Sequence, residues 1–357
     1  MFTISAVVLA CSGLLSPSTP LPSPSPALLP AAPAGALAPI APLSLQPAVT
    51  PSDPAKGPPP VPANAGASTS AYGSPLYACA CGCGVFEVGT SAMLPHDGHN
   101  GMVWQDFAFQ DQKHNRSGAS SAPQADNSDR EIRTYFFTTG IQYFFTQAWG
   151  AQLEVPFDTR HFASTDGTWD WTALGDIRLK AIYAGFLDDR SLGIDFGVKL
   201  PTGNFTHDGP DRDTEIGTGS TDILVGGFYQ VPILSSDFSF FTQVEGDVPV
   251  FTRDQYHPGV EVDGSLGVFY SGFHFGDVTV APIGQVILSY RSSDTGDNAS
   301  SDPVSSGYRR VLLSPGVEVD YGGFSFYADV EVPVYQYYNG YQLAASEAFK
   351  FIVAYHF

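Results

Sequence analysis

The chain has 357 residues, with 36 Asp and Glu against 16 Lys and Arg, a formal net charge of -20, and 13% aromatic content supplied mostly by 26 Phe and 17 Tyr. That charge excludes nucleic acid as a partner, because affinity there rests on neutralising phosphates with Lys and Arg. Only 15% of residues are charged, yet no apolar run approaches the ~20 residues that a membrane helix needs, so both a helical membrane protein and an ordinary soluble domain are excluded.

The first segment, 1–15, has the apolar stretch of a secretory signal but no Lys or Arg ahead of it, so an atypical signal and a misplaced start both fit. Val8-Leu9-Ala10-Cys11 is similar to a lipoprotein processing site with Cys11 as the acylated residue; the plainer reading is a signal cysteine that is cut away. Segment 16–70 is dominated by Pro, Ala and Ser. It cannot bury enough apolar area to offset its ordering entropy, which predicts a disordered tether.

Segment 71–100 carries Cys79-Ala80-Cys81-Gly82-Cys83-Gly84. Thiols at alternate positions can converge on one soft metal such as Cu(I) or Zn(II), with His96 and His99 close enough to complete the site. The spacing is not the two-by-two zinc arrangement, and an oxidising compartment favours disulfides. A metal site at Cys79, Cys81 and Cys83, a disulfide or redox pair, and a small-residue segment without chemical duty all stay open. Val85, Phe86, Val88, Met93 and Leu94 follow, and could fold into a lumen as a hatch or cover a barrel rim.

From 101 to 357 strand-like runs recur at 102–110, 131–145, 150–162, 174–186, 192–200, 220–231, 238–250, 260–273, 278–291, 309–321, 324–338 and 348–357. That makes about twelve strands, an even number as in single-chain bacterial barrels. Connections alternate between long ones (111–130, 163–173, 202–219, 251–259, 292–308, 339–347) and short ones such as Thr146-Gln147-Ala148-Trp149, 187–191 and Gly322-Gly323. Short turns belong on the periplasmic side and long loops outside. The expectation is an all-β, antiparallel transmembrane β-barrel in the bacterial outer membrane, with both barrel ends in the periplasm.

The two-residue period assigns faces. Leu153, Val155 and Phe157 face lipid against inward Gln152, Glu154 and Asp158; Ile194, Phe196 and Val198 against Asp195 and Lys199. Val244, Val248 and Val250 likewise oppose Gln243, Glu245 and Asp247, and Phe326, Val330 and Val332 oppose Asp329 and Glu331. Glu154-Val155-Pro156, Lys199-Leu200-Pro201, Asp247-Val248-Pro249 and Glu331-Val332-Pro333 repeat a charge, an apolar residue and a Pro near the outer end of a strand. They predict a ring of inward charge at the outer mouth, made of Glu154, Lys199, Asp247 and Glu331; solvated charges beside strand-ending prolines are the alternative. Arg178, Lys180, Arg133, Arg310 and Lys350 also fall on the inward phase, with Asp176, Glu318, Asp320, Glu261 and Asp263 as facing acids. Arg178, Lys180, Glu318 and Asp320 would line the wall of a narrow passage, or close it as an electrostatic plug.

Lys199-Leu200-Pro201-Thr202-Gly203-Asn204, followed by Asp211-Arg212-Asp213-Thr214-Glu215-Ile216-Gly217-Thr218-Gly219-Ser220-Thr221-Asp222, resembles the strand-loop-strand signature of outer-membrane proteins grouped with the MetA pathway of phenol degradation. The resemblance implies an outer-membrane transporter that admits hydrophobic or aromatic compounds. The acidic stretch from His207 to Glu215 has oxygen ligands at close spacing but lacks the EF-hand pattern, so a solvated loop outweighs a Ca²⁺ site. His161, Ser164, Asp166 and His257 lie near outer strand ends without a nucleophile motif, which argues against an enzyme.

The last strand, Phe349-Lys350-Phe351-Ile352-Val353-Ala354-Tyr355-His356-Phe357, alternates strictly. Its outward set is aromatic at both ends, as where a strand crosses between two membrane interfaces. This strand, ending in Phe357, is expected to engage the barrel-assembly machinery, with membrane lipid and a small-molecule permeant as the remaining partners. The function expected is passive passage of small molecules or cations without a cofactor; the alternatives are a surface-binding or structural barrel without an open pore and an outer-membrane hydrolase.

Overall fold

Alternation at a period of two carries through into the backbone of the computed structural model, which describes residues 100–123, 129–208, 212–234, 236–297 and 306–357. The signal, Cys11, the tether, the hatch and Cys79, Cys81 and Cys83 lie outside the described residues. The strands are β1 (Gly101–Gly118), β2 (Ser120–Ser121), β3 (Asp129–Phe144), β4 (Trp149–Ser164), β5 (Thr168–Leu174), β6 (Ile177–Tyr183) and β7 (Leu192–Leu200). They continue with β8 (Thr221–Pro232), β9 (Phe238–Phe251), β10 (Glu261–Tyr270), β11 (Phe273–Phe275), β12 (Val278–Arg291), β13 (Tyr308–Tyr321) and β14 (Phe324–His356). All belong to one sheet, which closes where β10 pairs with β12.

Eleven elements form the ring, and β2, β5 and β11 attach to β1, β4 and β12. A closed ring in which every neighbour is antiparallel needs an even number of crossings, and β14 supplies the missing one. Its 33 residues would extend about 109 Å if straight, several times the ~30 Å hydrocarbon core. Its first part pairs with β13 and its later part with β1, both antiparallel. The chain therefore reverses at Asn339-Gly340, where Gly340 adopts a φ of 59° that costs glycine nothing. His356 N donates to Gly323 O at 2.8 Å, so the returning limb ends beside the start of the outgoing one. Twelve crossings result.

Above the membrane the strands run further than their apolar pattern. β1 reaches Gly118, β5 folds back along β4 from Phe157↔Leu174 to Ala163↔Thr168, and β14 continues through 339–347. The expected long loops at 111–130, 163–173 and 339–347 are therefore mostly paired hairpin. A strand already aligned with its neighbour keeps its ladder hydrogen bonds in water without apolar side chains. β5 and β6 form one crossing, interrupted at Gly175-Asp176 beside Pro156, whose carbonyl accepts from Gly175 N at 3.0 Å.

The burial pattern is inverted relative to a water-soluble protein. Phe157 is 52% exposed and Val225 58%, while inward Asp195 and Glu331 are each 1% exposed. At the short-turn end the outward rings form a girdle: Trp149 and Tyr183, Tyr183 and Phe186, and Tyr270 and Phe273 each lie 4.9 Å apart, and Phe324 and Tyr355 4.8 Å. An apolar belt edged by aromatic rings suits a bilayer, and the closed barrel supports a location in the bacterial outer membrane. Arg133 departs from its expected inward phase: it shares the outward phase of Tyr135 and Phe137 and pairs with Glu131. Beyond the bilayer the outward face meets water, so charge there no longer reports the lumen side.

A charge placed in the belt tests its position. Val225→Arg is expected to cost about 2–4 kcal/mol in reversible unfolding from lipid vesicles, whereas Lys113→Ala on the exposed outer hairpin is expected to leave the unfolding midpoint unchanged. Equal costs would remove Val225 from the hydrocarbon.

Candidate functional site

The lumen is layered along its axis, because inward residue type changes with position along each strand. Nearest the short turns it is apolar: Met102, Trp104, Phe241, Phe269, Ile283, Tyr327 and Ile352 pack into one cluster, and Phe144, Ile182, Ala184 and Phe228 into another. The middle is charged. The outer end opens into a cavity of about 290 Å³, walled by strand ends and floored by Thr214, Glu215, Gly217 and Thr218 of the β7–β8 loop.

In the middle tier Lys199 Nζ lies 2.5 Å from Asp222 and 2.6 Å from Asp247. Arg178 reaches Glu245 at 3.2 Å and Asp247 at 3.7 Å, and Lys180 bonds Glu245. Arg178 and Lys180 stand on β6 and Glu245 on β9, three strands away around the wall, so these pairs bridge the lumen rather than follow the sheet. Glu154 faces Arg178 in register and accepts from Gln152 at 2.7 Å. Across the barrel Lys350 pairs with Asp106 at 3.1 Å, and the charges of Glu331 and Asp329 also bear on it. Asp329 accepts from Ser314 at 2.5 Å and Tyr327 at 2.7 Å.

Lys199 and Asp247, expected at the mouth, thus share one lattice with Arg178 and Lys180, expected on the wall. Glu318 and Asp320 sit near the Gly322-Gly323 turn instead: Glu318 is opposite Ala281, and Asp320 accepts from Ser325 Oγ at 2.5 Å. Glu245, Asp222 and Asp106 complete the ion pairs; inward phase marks all of them, but phase alone names no partner.

The signature stretch is an inward-folded loop held by its own chemistry. The break at Gly175-Asp176 turns the Asp176 carboxylate onto Gly203 N (2.9 Å), Thr218 N (2.7 Å) and Thr218 Oγ1 (2.6 Å). Thr202 Oγ1 accepts from Ile177 N at 2.9 Å and donates to Gly175 O at 3.0 Å. Gly203 and Gly217 touch backbone to backbone, so a Cβ on either would collide with the other. Arg160 then donates to the carbonyls of Thr214 (2.6 Å) and Glu215 (2.9 Å), and Arg212 stacks over Tyr256 at 4.6 Å. His207 lies flat on Trp171, with ring centroids 4.8 Å apart.

Glu215, a candidate Ca²⁺ ligand by spacing, instead accepts from His207 N at 2.7 Å. Among the described residues no group of three or more His, Cys, Asp or Glu side chains is arranged to hold a metal. His161 bonds Asp170 at 2.7 Å, Ser164 Oγ accepts from Asp166 N at 3.1 Å, and His257 bonds Thr252 at 2.6 Å, so each is tied into its own hairpin.

Burial pushes the Glu215 carboxyl up from 4.5 to about 7, against the pull of His207 N–H and the Arg212 and Arg160 guanidiniums. Its neutral form suits the docked loop. Docking is therefore expected to have the full Glu215 contribution below about pH 4.5 and to lose it as pH rises through about 7. Trp171 emission should follow that loss, and Glu215→Gln should flatten the profile. A profile unchanged by the substitution would show that Glu215 does not set the pH dependence of docking.

No family model matches the chain, and no curated protein matches it. Among solved structures it is similar to an outer membrane channel from Pseudomonas putida F1, with 9% identity, 74% of this chain and 98% of that chain covered, and a TM-score of 0.55. The beta domain of the Bordetella autotransporter BrkA follows at 14% identity, 72% and 100% coverage and a TM-score of 0.46. The Pseudomonas putida toluene transporter TodX is at 10% identity, 76% and 93% coverage and 0.37. The first likeness shows the fold, that of a closed outer-membrane β-barrel.

Proposed function

We propose that this barrel passes small molecules across the outer membrane by diffusion through a narrow, charge-lined lumen, with Glu154, Lys199, Asp247, Glu331, Arg178 and Lys180 along the path. The observation that carries the reading is the array of inward ion pairs bridging β6 and β9 beneath an outer cavity. A barrel that only anchored a surface loop would be served as well by an apolar interior, because replacing buried ion pairs by well-packed apolar residues is often neutral or stabilising. The resemblance of the stretch Lys199–Asp222 to a transporter signature supports the same reading. The terminal strand would be handed to the barrel-assembly machinery through Phe357, and 71–100 would sit on the periplasmic side.

One observation favours a second reading, a barrel without an open pore: Trp104 and Tyr327 at the short-turn end are 2% and 1% exposed. Single-channel recording of the refolded chain in a planar bilayer under a salt gradient separates the two. Steady cation-selective current, weakened when Glu154, Asp247 and Glu331 are neutralised, supports the diffusion channel. Silence from a folded barrel rejects it in favour of a gated transporter or a surface-binding barrel.

A further inference from the structure

We infer that the outer cavity is a binding site for a neutral, hydroxyl-rich molecule of roughly sugar size; this rests on the channel reading and chooses polar over apolar permeants for it. At about 290 Å³ the cavity lies near the lower end of ligand pockets, which run from about 300 to 1,000 Å³.

Charge balance is the first argument. Four guanidiniums, from Arg160, Arg212, Arg291 and Arg310, line the cavity together with five carboxyl groups, and both signs occur on β4 (Asp158, Arg160), in the β7–β8 loop (Arg212, Glu215) and around Arg291 (Glu261, Asp294). With the two signs nearly equal in number, neither an anion nor a cation is strongly drawn in. The second argument is commitment. Arg291 holds Asp294 at 2.8 Å, Tyr256 donates to the same carboxylate at 2.8 Å, and Tyr308 donates to Glu261 at 2.6 Å. Arg160 is spent on the loop carbonyls of Thr214 and Glu215. A charged ligand drawn to Arg291 or Asp294 would meet a charge of its own sign directly beside it.

Hydroxyl groups meet no such repulsion. A guanidinium has five N–H donors and a carboxylate about four acceptor positions, so each committed group keeps capacity for a neutral partner that both donates and accepts. A hydrocarbon, by contrast, would strip water from these groups and replace it with nothing. The third argument is rigidity. The floor is pinned by Asp176 and by the Gly203–Gly217 contact, and Tyr256 and Tyr338 in the wall are buried. A site already in shape loses little ordering entropy on binding. Tyr341, exposed at the rim, adds an apolar ring face on which the C–H face of a sugar can rest.

The test is isothermal titration of the refolded full chain with maltose, benzoate, choline and toluene as probes, alongside liposome swelling for permeation. Maltose is expected to bind at least about tenfold more tightly than the other three. Tyr308→Phe, which removes one hydroxyl without changing shape, should weaken it by about two- to tenfold. Tyr341→Ala is exposed and folds regardless, and should weaken it as well. Equal binding of benzoate or choline, tighter binding of toluene, or maltose binding indifferent to both variants would overturn the inference. Maltose bound by a folded barrel that passes neither any of the four probes nor ionic current would leave the binding site standing and overturn the channel reading; maltose that permeates without binding would do the reverse.

Discussion

Lys180→Met is expected to destabilise the barrel by about 3–5 kcal/mol, the cost of leaving buried charge uncompensated. Lys180 is 1% exposed, bonds Glu245 across the lumen, and feels the charges of Glu154 and Asp195. Asp195 makes no hydrogen bond through either buried carboxylate oxygen, so this cation is its electrostatic support. The double variant Lys180→Met with Asp195→Leu should recover much of the loss, because Glu245 keeps Arg178 as its partner and the carboxylate that depended on Lys180 is gone. Urea unfolding from lipid vesicles measures both. A loss below about 1 kcal/mol for Lys180→Met would mean that the middle tier is wet and its charges screened.

Asp176→Ala is expected to release the β7–β8 loop and raise single-channel conductance severalfold. One carboxylate takes three hydrogen bonds from Gly203 and Thr218. Hydrogen bonds to a charged group contribute about 1.5–3 kcal/mol each, so their joint loss outweighs the contacts that remain through Arg160, Thr202, Arg212 and His207. Gly217→Val should have the same effect by another route, since its Cβ would meet the Gly203 backbone. In both variants Trp171 emission should shift as His207 leaves its ring. Unchanged conductance with Trp171 still stacked would show that the loop is held elsewhere and does not narrow the path.

The alternating strands were readable from residue order alone. Phe157, Val225 and Phe351 face lipid and Glu154, Lys199 and Lys350 face inward as parity requires, because a strand's side-chain period is two and lipid, not a core, is what the apolar face meets. Twelve crossings followed from the same pattern, including the two limbs of β14. Parity failed where the strands leave the bilayer: Arg133 was assigned inward and lies outward, since above the headgroups both faces are wet and polarity carries no direction.

Which charge meets which was decided by the closed barrel. Arg178 and Glu245 are 67 positions apart in sequence and three strands apart around the wall, and only curvature of the sheet brings them within 3.2 Å. The inward course of the signature loop was likewise hidden, because its anchor, Asp176, lies 42 positions before Thr218 on a different crossing. Local order determined the strands, their faces and their number, since those depend on neighbours one and two residues away. Ion-pair partners, the loop's docking and the outer cavity depend on distances across the lumen, which exist only once the ring has closed.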